Sequence, residues 1–513
     1  MHAFSPIWSG LWRGTSLRVE TAAPGSDRGA ILRVGPAPRE ETGGGAPAEW
    51  LRFDCRVDAP HWVIDPSGRS ETRPLDERVD IEGQVFALLE ANAATLLAEI
   101  EGAPALGDAA SGDAAVLREA QRMMRHRPAI LEDLDTVVLR ARRSEKWHTY
   151  PPDVLPVWVA EMDFPAAAPI QDTLRRFVES SDLGYPMALR DTGLPDVFCE
   201  RMEDRFGWQP DPLRVEILSE VVQGIYLAIE AYSEPGQGVV VQTPIYPPFL
   251  GSIRDTGRRL VDNPMRLSAK GIDFDLDGLE ETLDPECRLL LFCNPHNPSG
   301  RVYERAELER VAELAVRHDL VVVSDEIHGD LVYEGRRHIP IASLGPEIAR
   351  RTVTLTSASK AFNIPGLRTA VAHFGSPELQ RRFNTVVPQH ARGGIGLLGL
   401  DASIAAWRWA QPWLDEVLPY LSANRDVAEQ ALLERLPEIR FLRPEATFLA
   451  WLDCTALGLE DAPAAHFLRH GRVALSQGEF FGEDWKGFAR LNLATSRTIL
   501  LEAVERMAKA VGR

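Results

Sequence analysis

The amino-acid sequence is short of positive charge and of long apolar runs. Its 513 residues include 75 acidic and 56 basic ones, which gives a formal net charge of −19. A chain this acidic repels phosphate backbones and anionic lipid, so neither nucleic acid nor a membrane surface is expected as a partner. No apolar run approaches the roughly 20 residues that cross a bilayer, and no basic start followed by an apolar stretch marks a secretory signal. We therefore expect a cytoplasmic protein.

Cysteine is also scarce, and its placement argues against a metal protein. The five cysteines are odd in number and scattered, and no two of them form a CxxC pair. This pattern is typical of reduced thiols and offers no zinc site. No HExxH or EF-hand pattern occurs, so no metal is expected. The cysteines are Cys55, Cys199, Cys287, Cys293 and Cys454.

Lysine is the scarcest charged residue, with five copies among the 56 basic residues. Arginine supplies most of the generic positive charge, so a lysine in an apolar or small-residue setting needs a specific reason. Lys146, Lys486 and Lys509 lie in charged or terminal contexts and are predicted to be solvated surface residues. Lys270 lies in a polar turn. Lys360 alone follows an apolar run and stands among small serines.

The length suggests two or three domains, and a composition of 45% hydrophobic and 26% charged residues allows a large buried core. In the front region, the strict alternation in LRFDCRVD (51–58) predicts a strand, and the apolar spacing of residues 83–101 predicts a helix. No motif there indicates a chemistry. The predicted regions are an accessory α+β domain at 1–101, a linker and helix at 102–130, an N-terminal arm and cofactor-binding large domain at 131–410, and a small C-terminal domain at 411–513.

Four short apolar runs alternate with helical patterns between residues 238 and 356. Continuously apolar strands separated by helices, such as the one at 304–317, predict an α/β fold with a mainly parallel sheet covered on both faces. Ligands bind such sheets just beyond the carboxyl ends of the strands. Each run precedes an unusual polar loop, TPIYPPF, NPHNPSG, DEIHGD or SASKAF, so these loops are predicted to form one site. The runs are VVVQ at 239–242, LLLFC at 289–293, LVVVS at 320–324 and VTLT at 353–356.

The loops contain what an aldehyde cofactor such as pyridoxal 5′-phosphate (PLP) requires, namely a near-neutral lysine, a ring clamp and a phosphate cradle. Lys360 is the candidate for the covalent bond, because burial makes a lysine lose its proton more easily. Asp325, directly after LVVVS, is the candidate partner of the ring nitrogen, since a buried carboxylate keeps that nitrogen protonated. An aspartate after a strand is also commonly a helix N-cap, and Lys360 on a neighbouring loop favours the functional interpretation.

Further residues can contact the ring, the phosphate and a substrate carboxylate. Asn297 can donate to the ring 3′-oxygen, although Asn-Pro pairs also form plain turns. Tyr246 can stack on the ring face or belong to the core. Arg490 offers a planar guanidinium that can donate two parallel hydrogen bonds to the carboxylate of an amino-acid substrate. The phosphate needs amides and hydroxyls at a helix start, for which the candidates are Val222, Gln223, Gly224, Ser357, Ser359 and Arg368.

Four segments, NPHNPSG, SDEIHGDLV, SASKAFNIPGLR and GFARLNLATSR, together resemble the fold-type I PLP enzymes of the class I/II aminotransferase family. VWVAEMDFP, QTPIYPPF and DEIH look like the cystathionine β-lyase branch of MalY/PatB type. The resemblance covers about residues 131–513. It implies the PLP-dependent transferase fold of type I and a homodimer with active sites shared at the subunit interface.

The resemblance also implies residue roles. Lys360 matches the Schiff-base lysine, and the other candidates keep the roles given above. Tyr185, in LGYP, is similar to the tyrosine that reaches the cofactor of the neighbouring subunit, and Ala160, in VWVAEMDF, matches a substrate contact beside Arg490. His328, a further cofactor contact, stands where many aminotransferases have tyrosine, which favours the lyase branch and gives the 3′-oxygen a different neighbour.

The expected reaction is cleavage of the C–S bond of cystathionine or another cysteine S-conjugate to a thiol, pyruvate and ammonia. Transamination, or an oxidative or decarboxylating reaction, uses the same residues and stays open, as does a non-catalytic binding role. The GxGxxG pattern at 394–399 is not expected to bind a dinucleotide, because no clear strand leads into it.

Overall fold

The structure, a computed structural model, describes residues 127–513 apart from 269–270, together with Arg122 and the backbone of six strands within residues 5–74. Contacts divide the chain into two compact units. The first comprises Met1–Arg127 with Arg408–Pro412, and the second comprises Pro128–Trp407 with Trp413–Arg513. The predicted domain boundaries are a finer division and stay a prediction.

The described strands of the first unit are β1 Ser5–Trp12, β2 Thr15–Thr21, β3 Ile31–Pro36, β4 Leu51–Asp54, β5 His61–Ile64 and β6 Glu71–Pro74. They form one antiparallel meander, in which each strand pairs with the next in the chain. β4 falls within LRFDCRVD and confirms the strand predicted there. The predicted helix at 83–101, and most of the predicted linker and helix at 102–130, lie outside the described residues.

The strands of the second unit are β7 Leu155–Pro156, β8 Val215–Leu218, β9 Gly238–Val241, β10 Arg259–Asp262, β11 Arg266–Ser268, β12 Gly271–Asp273, β13 Cys287–Cys293, β14 Val321–Asp325, β15 Thr352–Thr356, β16 Ala370–Phe374, β17 Arg440–Leu442, β18 Leu449–Asp453, β19 Val473–Ala474, β20 Ser476–Gln477 and β21 Phe488–Asn492. Its described α-helices are α1 Thr136–Ala141, α2 Glu145–His148, α3 Ala168–Ser180, α4 Leu194–Phe206, α5 Val221–Tyr232, α6 Pro247–Asp255, α7 Leu276–Thr282, α8 Arg305–Arg317, α9 Pro346–Ala349, α10 Pro377–Val386, α11 Leu397–Trp409, α12 Gln411–Arg435, α13 Pro463–His466 and α14 Arg497–Ala510.

A seven-stranded sheet forms the centre of the second unit, in the order β10–β9–β13–β14–β15–β16–β8. Its strands are parallel except β16, which runs antiparallel to both of its neighbours. β9 and β15 are buried at every position, as expected for strands covered on both faces. The four predicted apolar runs are therefore confirmed as strands of one mainly parallel sheet.

Helices cover both faces of this sheet. Alternate residues of a strand point to opposite faces, and those of β9 pack against different helices. Val239 and Val241 of β9 belong to one buried cluster together with residues of α5 and α6. Val240, between them, belongs to a second cluster that contains residues of α8. α8 confirms the helix predicted at 304–317 and begins with reciprocal side-chain bonds between Glu304 and Glu307 and the backbone.

A smaller antiparallel sheet, in the order β17–β18–β21–β20, packs with α12 and α14 into a separate core. The final helix, α14, begins at Arg497 and is capped by the side chain of Ser496. GIGLLG at 394–399 runs into α11 and is preceded by a short 3₁₀ helix. No strand leads into this GxGxxG pattern, as predicted. None of the helices in the described ranges is both long and apolar enough to span a bilayer.

Candidate active site

The carboxyl ends of β13, β14 and β15 meet at one edge of the large sheet, because these strands are parallel neighbours. Asn297 follows β13, Asp325 ends β14 and Lys360 follows β15. Tyr246 follows β9, which pairs with β13 on its other side. Arg490 arrives from β21 of the smaller sheet and contacts Asn297. The predicted loops therefore meet, and a residue from a distant part of the chain completes the group.

Lys360 has a buried amine with a lowered pKa. Its Nζ donates a hydrogen bond to the carbonyl oxygen of Ala160 at 2.9 Å. Burial and the positive charge of Arg490 lower its pKa to about 8, although the carboxylates of Asp325 and Glu161 oppose this shift. Ala160, predicted to contact substrate, is thus placed directly beside the amine. At pH 7 about a tenth of such an amine is uncharged, far more than for an ordinary lysine, and this fraction can act as nucleophile or base.

Asp325 is a buried carboxylate, with 6% of its surface exposed. Burial raises its pKa to about 7, although the amide of Ile327 and the charge of Lys360 both favour the ionised form. The Ile327 amide donates to Oδ1 at 3.0 Å. A turn follows rather than a helix, so the N-cap alternative is wrong. A carboxylate in this setting keeps its charge when a cationic group, such as a protonated ring nitrogen, lies against it.

Arg490 is buried and held by three acceptors. Its Nη1 donates to Oδ1 of Asn297 at 2.9 Å. Its Nη2 donates to the carbonyl of Trp158 and to Oγ of Ser476, each at 3.1 Å. The guanidinium also lies 4.9 Å from the ring centre of Phe481. Burial lowers its pKa to about 10, so the group stays charged at neutral pH and can bind a carboxylate.

Tyr246 and His328 flank this group. Tyr246 is partly buried and packs against the sheet cluster, so the core alternative holds for part of its surface. Burial raises its pKa, and the charges of Arg490 and Asp325 also act on its hydroxyl. His328 is 2% exposed, and burial lowers its pKa to about 3, which keeps the imidazole neutral. Its Nδ1 is buried without a hydrogen-bond partner in the described part of the chain.

The residues predicted to form an anion cradle, Val222, Gln223 and Gly224, lie in the first turn of α5. The first backbone bond of this helix runs from the amide of Gly224 to the carbonyl of Glu220 at 3.2 Å. The amides of Val222 and Gln223 come before it in the first turn, where backbone donors lack an intrahelical acceptor. Such a helix start binds phosphate through its amides and its dipole.

Gln223 is hydrogen-bonded within the protein, and Gly224 lies close to the sheet. Gln223 accepts a bond from Oγ of Ser219 at 2.8 Å and donates to the carbonyl of Ala391 at 3.3 Å. A Cβ atom at Gly224 would lie 2.9 Å from Cδ2 of Leu355 on the sheet. A glycine here therefore lets α5 approach the sheet closely, and its contribution to anion binding is its backbone.

The remaining phosphate candidates lie around the lysine loop. Oγ of Ser357 donates to the carbonyl of Thr369 at 2.7 Å and accepts the amide of Ser359 at 3.0 Å. Arg368 is largely exposed and forms an ion pair with Glu220, the residue that precedes α5. The structure thus places Arg368 beside the predicted cradle, where its guanidinium is paired with the Glu220 carboxylate.

The prediction for Lys146 is wrong. This lysine is fully buried, and its Nζ lies 2.9 Å from Oδ2 of Asp163, which is also fully buried. The charged sequence around Lys146 indicated a solvated side chain, but the fold supplies a buried counter-charge that makes burial tolerable. Lys486 and Lys509 are exposed as predicted. Lys270 lies outside the described residues.

Tyr185 is the one predicted site residue that the structure does not bring to the others. Its side chain is fully exposed, with a relative exposure of 101%. A role in the site of a neighbouring subunit stays a prediction. Sequence reasoning also missed Asn363 and Asn492, which bond the segment around Ala160. Their positions inside SASKAFNIPGLR and GFARLNLATSR were the available signal.

The chain is similar to characterised families over most of its second unit. Residues 192–507 match the family profile described as aminotransferase class I and II. Cystathionine β-lyase PatB of Bacillus subtilis (strain 168) is 36% identical over 361 residues, which are 70% of this chain and 93% of that protein.

Solved structures give the same result. The structure of OvoB is 42% identical, with a TM-score of 0.69, and the match covers 76% of this chain and 98% of that one. A putative PLP-dependent β-cystathionase from Corynebacterium diphtheriae is 34% identical, with a TM-score of 0.70 and coverages of 75% and 100%. These similarities confirm the predicted family resemblance and the predicted fold.

Proposed function

Because the chain belongs to the class I and II aminotransferase family, we propose that it is a PLP-dependent C–S β-lyase. Its substrate is cystathionine or another amino acid with sulfur on the β-carbon. The similarity to PatB and to the β-cystathionase supports this branch. The observation that carries the proposal is the buried amine of Lys360, whose pKa is lowered to about 8 and is influenced by the charges of both Arg490 and Asp325.

The residues of the site fit PLP. Asp325 is a buried acid in need of a cationic partner, which a protonated ring nitrogen provides. Arg490 donates a hydrogen bond to Oδ1 of Asn297, so Nδ2 of Asn297 is left to donate to the ring 3′-oxygen. The partnerless Nδ1 of His328 is an orphaned buried polar atom that a bound polar group can satisfy. Tyr246 would stack on the ring, and the phosphate ligands would be the amides of Val222 and Gln223 with Ser357, Ser359 and Arg368.

When bound, PLP supplies an electron-accepting ring that stabilises negative charge at the α-carbon of an amino acid. Arg490 would bind the substrate carboxylate through two parallel hydrogen bonds, which fix its orientation. Lys360 would take the α-proton, and Asp325 would keep the ring nitrogen protonated. Loss of the α-proton would let the thiolate leave the β-carbon, and the proton held by Lys360 would pass to the leaving sulfur. The 2-aminoacrylate that remains decays in water to pyruvate and ammonia.

The decisive experiment supplies the PLP-loaded protein with a panel of cysteine S-conjugates, including cystathionine, without any keto acid. We expect equal amounts of pyruvate and free thiol, measured by a coupled dehydrogenase and a thiol reagent. Alanine is the matched control, because it has no β leaving group and yields pyruvate only when a keto acid accepts the amino group. A sulfur-bearing keto acid that forms only after a keto acid is added, with no thiol released, would replace elimination with transamination. A protein that binds these amino acids without turning them over would support the non-catalytic role.

The pH dependence of PLP attachment tests the state of Lys360. We expect the rate at which cofactor-free protein takes up PLP to rise as the pH increases through about 8, because only the neutral amine attacks an aldehyde. Stopped-flow absorbance across the range from about pH 6 to about pH 11 measures this rate. A rate that levels off above about 8 would support the lowered pKa, and a rate that keeps rising to 10.5, the ordinary pKa of lysine, would contradict it.

Replacing Glu220 with glutamine should tighten PLP binding. The Glu220 carboxylate pairs with Arg368 beside the anion cradle and repels a phosphate placed there. Both side chains are more than one third exposed, so the gain should be about fivefold or less in Kd. Titration followed by cofactor fluorescence measures it, and Glu234→Gln, an exposed glutamate after α5, is the control. Weaker binding by Glu220→Gln would mean that its carboxylate helps to build the cradle.

We also propose a homodimer and a cytoplasmic location. The fully exposed Tyr185 supports a contact with a second copy of the chain. The cysteines of the described residues are free thiols, which fits a reducing compartment. Light scattering of the purified protein at several concentrations tests the dimer, and a monomer at all of them contradicts it.

A further inference from the structure

The segment 158–164 lies beside Lys360 and has an unusual set of hydrogen bonds. We call this segment the strap. It contains no helix or strand, so its carbonyl groups have no regular backbone partners. In such a segment, carbonyls ordinarily bond to water. Here every carbonyl oxygen from Trp158 to Met162 accepts a hydrogen bond from a side chain.

Asn492 holds the strap on one side. Its Nδ2 donates to the carbonyls of Val159 and Glu161, each at 2.7 Å, and its Oδ1 accepts the amide of Ala494 at 2.7 Å. These two carbonyls flank that of Ala160, which accepts the amine of Lys360. The acceptor of the amine is therefore fixed from both sides by one buried asparagine.

Asn363 holds the strap on the other side. Its Nδ2 donates to the carbonyls of Met162 and Phe164 at 2.9 and 2.8 Å, and its Oδ1 accepts the amide of Met162 at 2.9 Å. Asn363 has a φ of +55°, a conformation that asparagine tolerates better than most residues. The buried pair of Lys146 and Asp163 anchors the same end of the strap.

The two asparagines have meaningful places in the chain. Asn363 is three residues after Lys360 on the same loop, and Asn492 is two residues after Arg490 at the end of β21. Arg490 itself also donates to the strap, at the carbonyl of Trp158. The strap is thus bonded both to the loop that carries the amine and to the strand that carries the carboxylate clamp.

We propose that Asn363 and Asn492 are positioning residues, which set the Lys360 amine relative to the Arg490 guanidinium through the strap. This inference rests on the proposed function, because it assumes an amine that must reach the α-proton of a substrate held by its carboxylate. Reactions of this kind are sensitive to displacements of about 1 Å, which can cost about 100-fold in rate. The carbonyl of Ala160 then serves as the acceptor that orients the amine whenever it is not joined to the cofactor.

The experiment compares Asn363→Asp and Asn492→Ala with Asn263→Ala. Asn263 is also buried and donates to a backbone carbonyl, that of Asp275, but it does not contact the strap. We expect all three variants to lose thermal stability. Only the two strap variants should lower kcat, by about 10- to 100-fold. They should also slow PLP attachment to the cofactor-free protein and move the pH midpoint of the visible band of lysine-linked PLP by about one unit.

If Asn363→Asp fails to fold, Asn363→Gly replaces it, because glycine accepts the positive φ. Strap variants that lose stability as Asn263→Ala does, with kcat, attachment rate and pH midpoint unchanged, would overturn the inference and leave a structural role only. A wild-type protein that takes up no PLP would instead overturn the proposed function, and the wild-type measurement comes first for this reason.

Discussion

Replacing Lys360 with alanine should remove the absorbance band of lysine-linked PLP and reduce C–S cleavage by at least about 10³-fold. The effect is large because one amine is both the covalent anchor of the cofactor and the base that takes the α-proton. The absorbance spectrum before and after borohydride reports the covalent link, and pyruvate release reports cleavage. Non-covalent PLP binding should persist, because the proposed contacts of Asp325 and of the phosphate cradle do not depend on the amine.

Lys486→Ala is the matched control, since Lys486 is an exposed lysine of the same unit. It should keep both the spectrum and the activity of the wild type. A Lys360→Ala protein that still traps PLP with borohydride would place the covalent link on another lysine. Lys146 is then the residue to replace next, because it is buried near the strap.

Replacing Asp325 with asparagine should lower C–S cleavage by about 10²- to 10³-fold, the cost of losing a preorganised charge in a buried site. Asparagine keeps an oxygen for the amide of Ile327 and preserves the shape of the side chain. What it loses is the negative charge that keeps the ring nitrogen protonated. Steady-state kinetics with a good cysteine S-conjugate measure the loss, which should fall on kcat more than on KM.

The same substitution should stabilise the cofactor-free protein at alkaline pH. The pKa of Asp325 is about 7 in the folded protein against an ordinary value of 3.8. Between these values the folded state holds a proton that the unfolded chain has released, so the free energy of unfolding falls as the pH rises through this window. Above pH 7 the penalty is complete and amounts to roughly 2 to 4 kcal/mol. Asparagine does not titrate, so the variant does not lose this free energy of unfolding.

Thermal unfolding of cofactor-free wild type and Asp325→Asn at pH values near 5 and near 8 measures this difference. The advantage of the variant should be larger at the higher pH. Asp277→Asn, at an exposed position in α7, should show no such trend. An Asp325→Asn protein that is less stable than the wild type at both pH values would mean that the carboxylate is already satisfied without the cofactor.

The large sheet and the centre of the site could be predicted because their signals are local. A short apolar run such as LLLFC, between helical patterns, favours a strand covered on both faces. The loop that follows a parallel strand lies at the carboxyl edge of the sheet, where ligands bind. Lys360 could be identified because lysine is so rare in this chain that its apolar setting is informative. Asp325 gained weight from its position on the neighbouring loop.

The support of the site could not be predicted, because it depends on pairs that only the fold brings together. Nothing in the sequence around Lys146 indicates that Asp163 will meet it in a fully buried ion pair. Asn363 and Asn492 each look like polar residues near the end of a motif. Their importance comes from donating to carbonyls of a segment about 200 residues away for Asn363 and about 330 for Asn492.

The position of β8 constrains when this protein can first hold its cofactor. β8 leads directly into α5, whose first turn is the predicted anion cradle, yet in the large sheet it pairs with β16, about 150 residues later in the chain. A growing polypeptide on the ribosome therefore cannot anchor the cradle until residues beyond Phe374 have emerged. A chain that ends before β16 lacks the strand that pairs with β8, and Arg490 is synthesised later still.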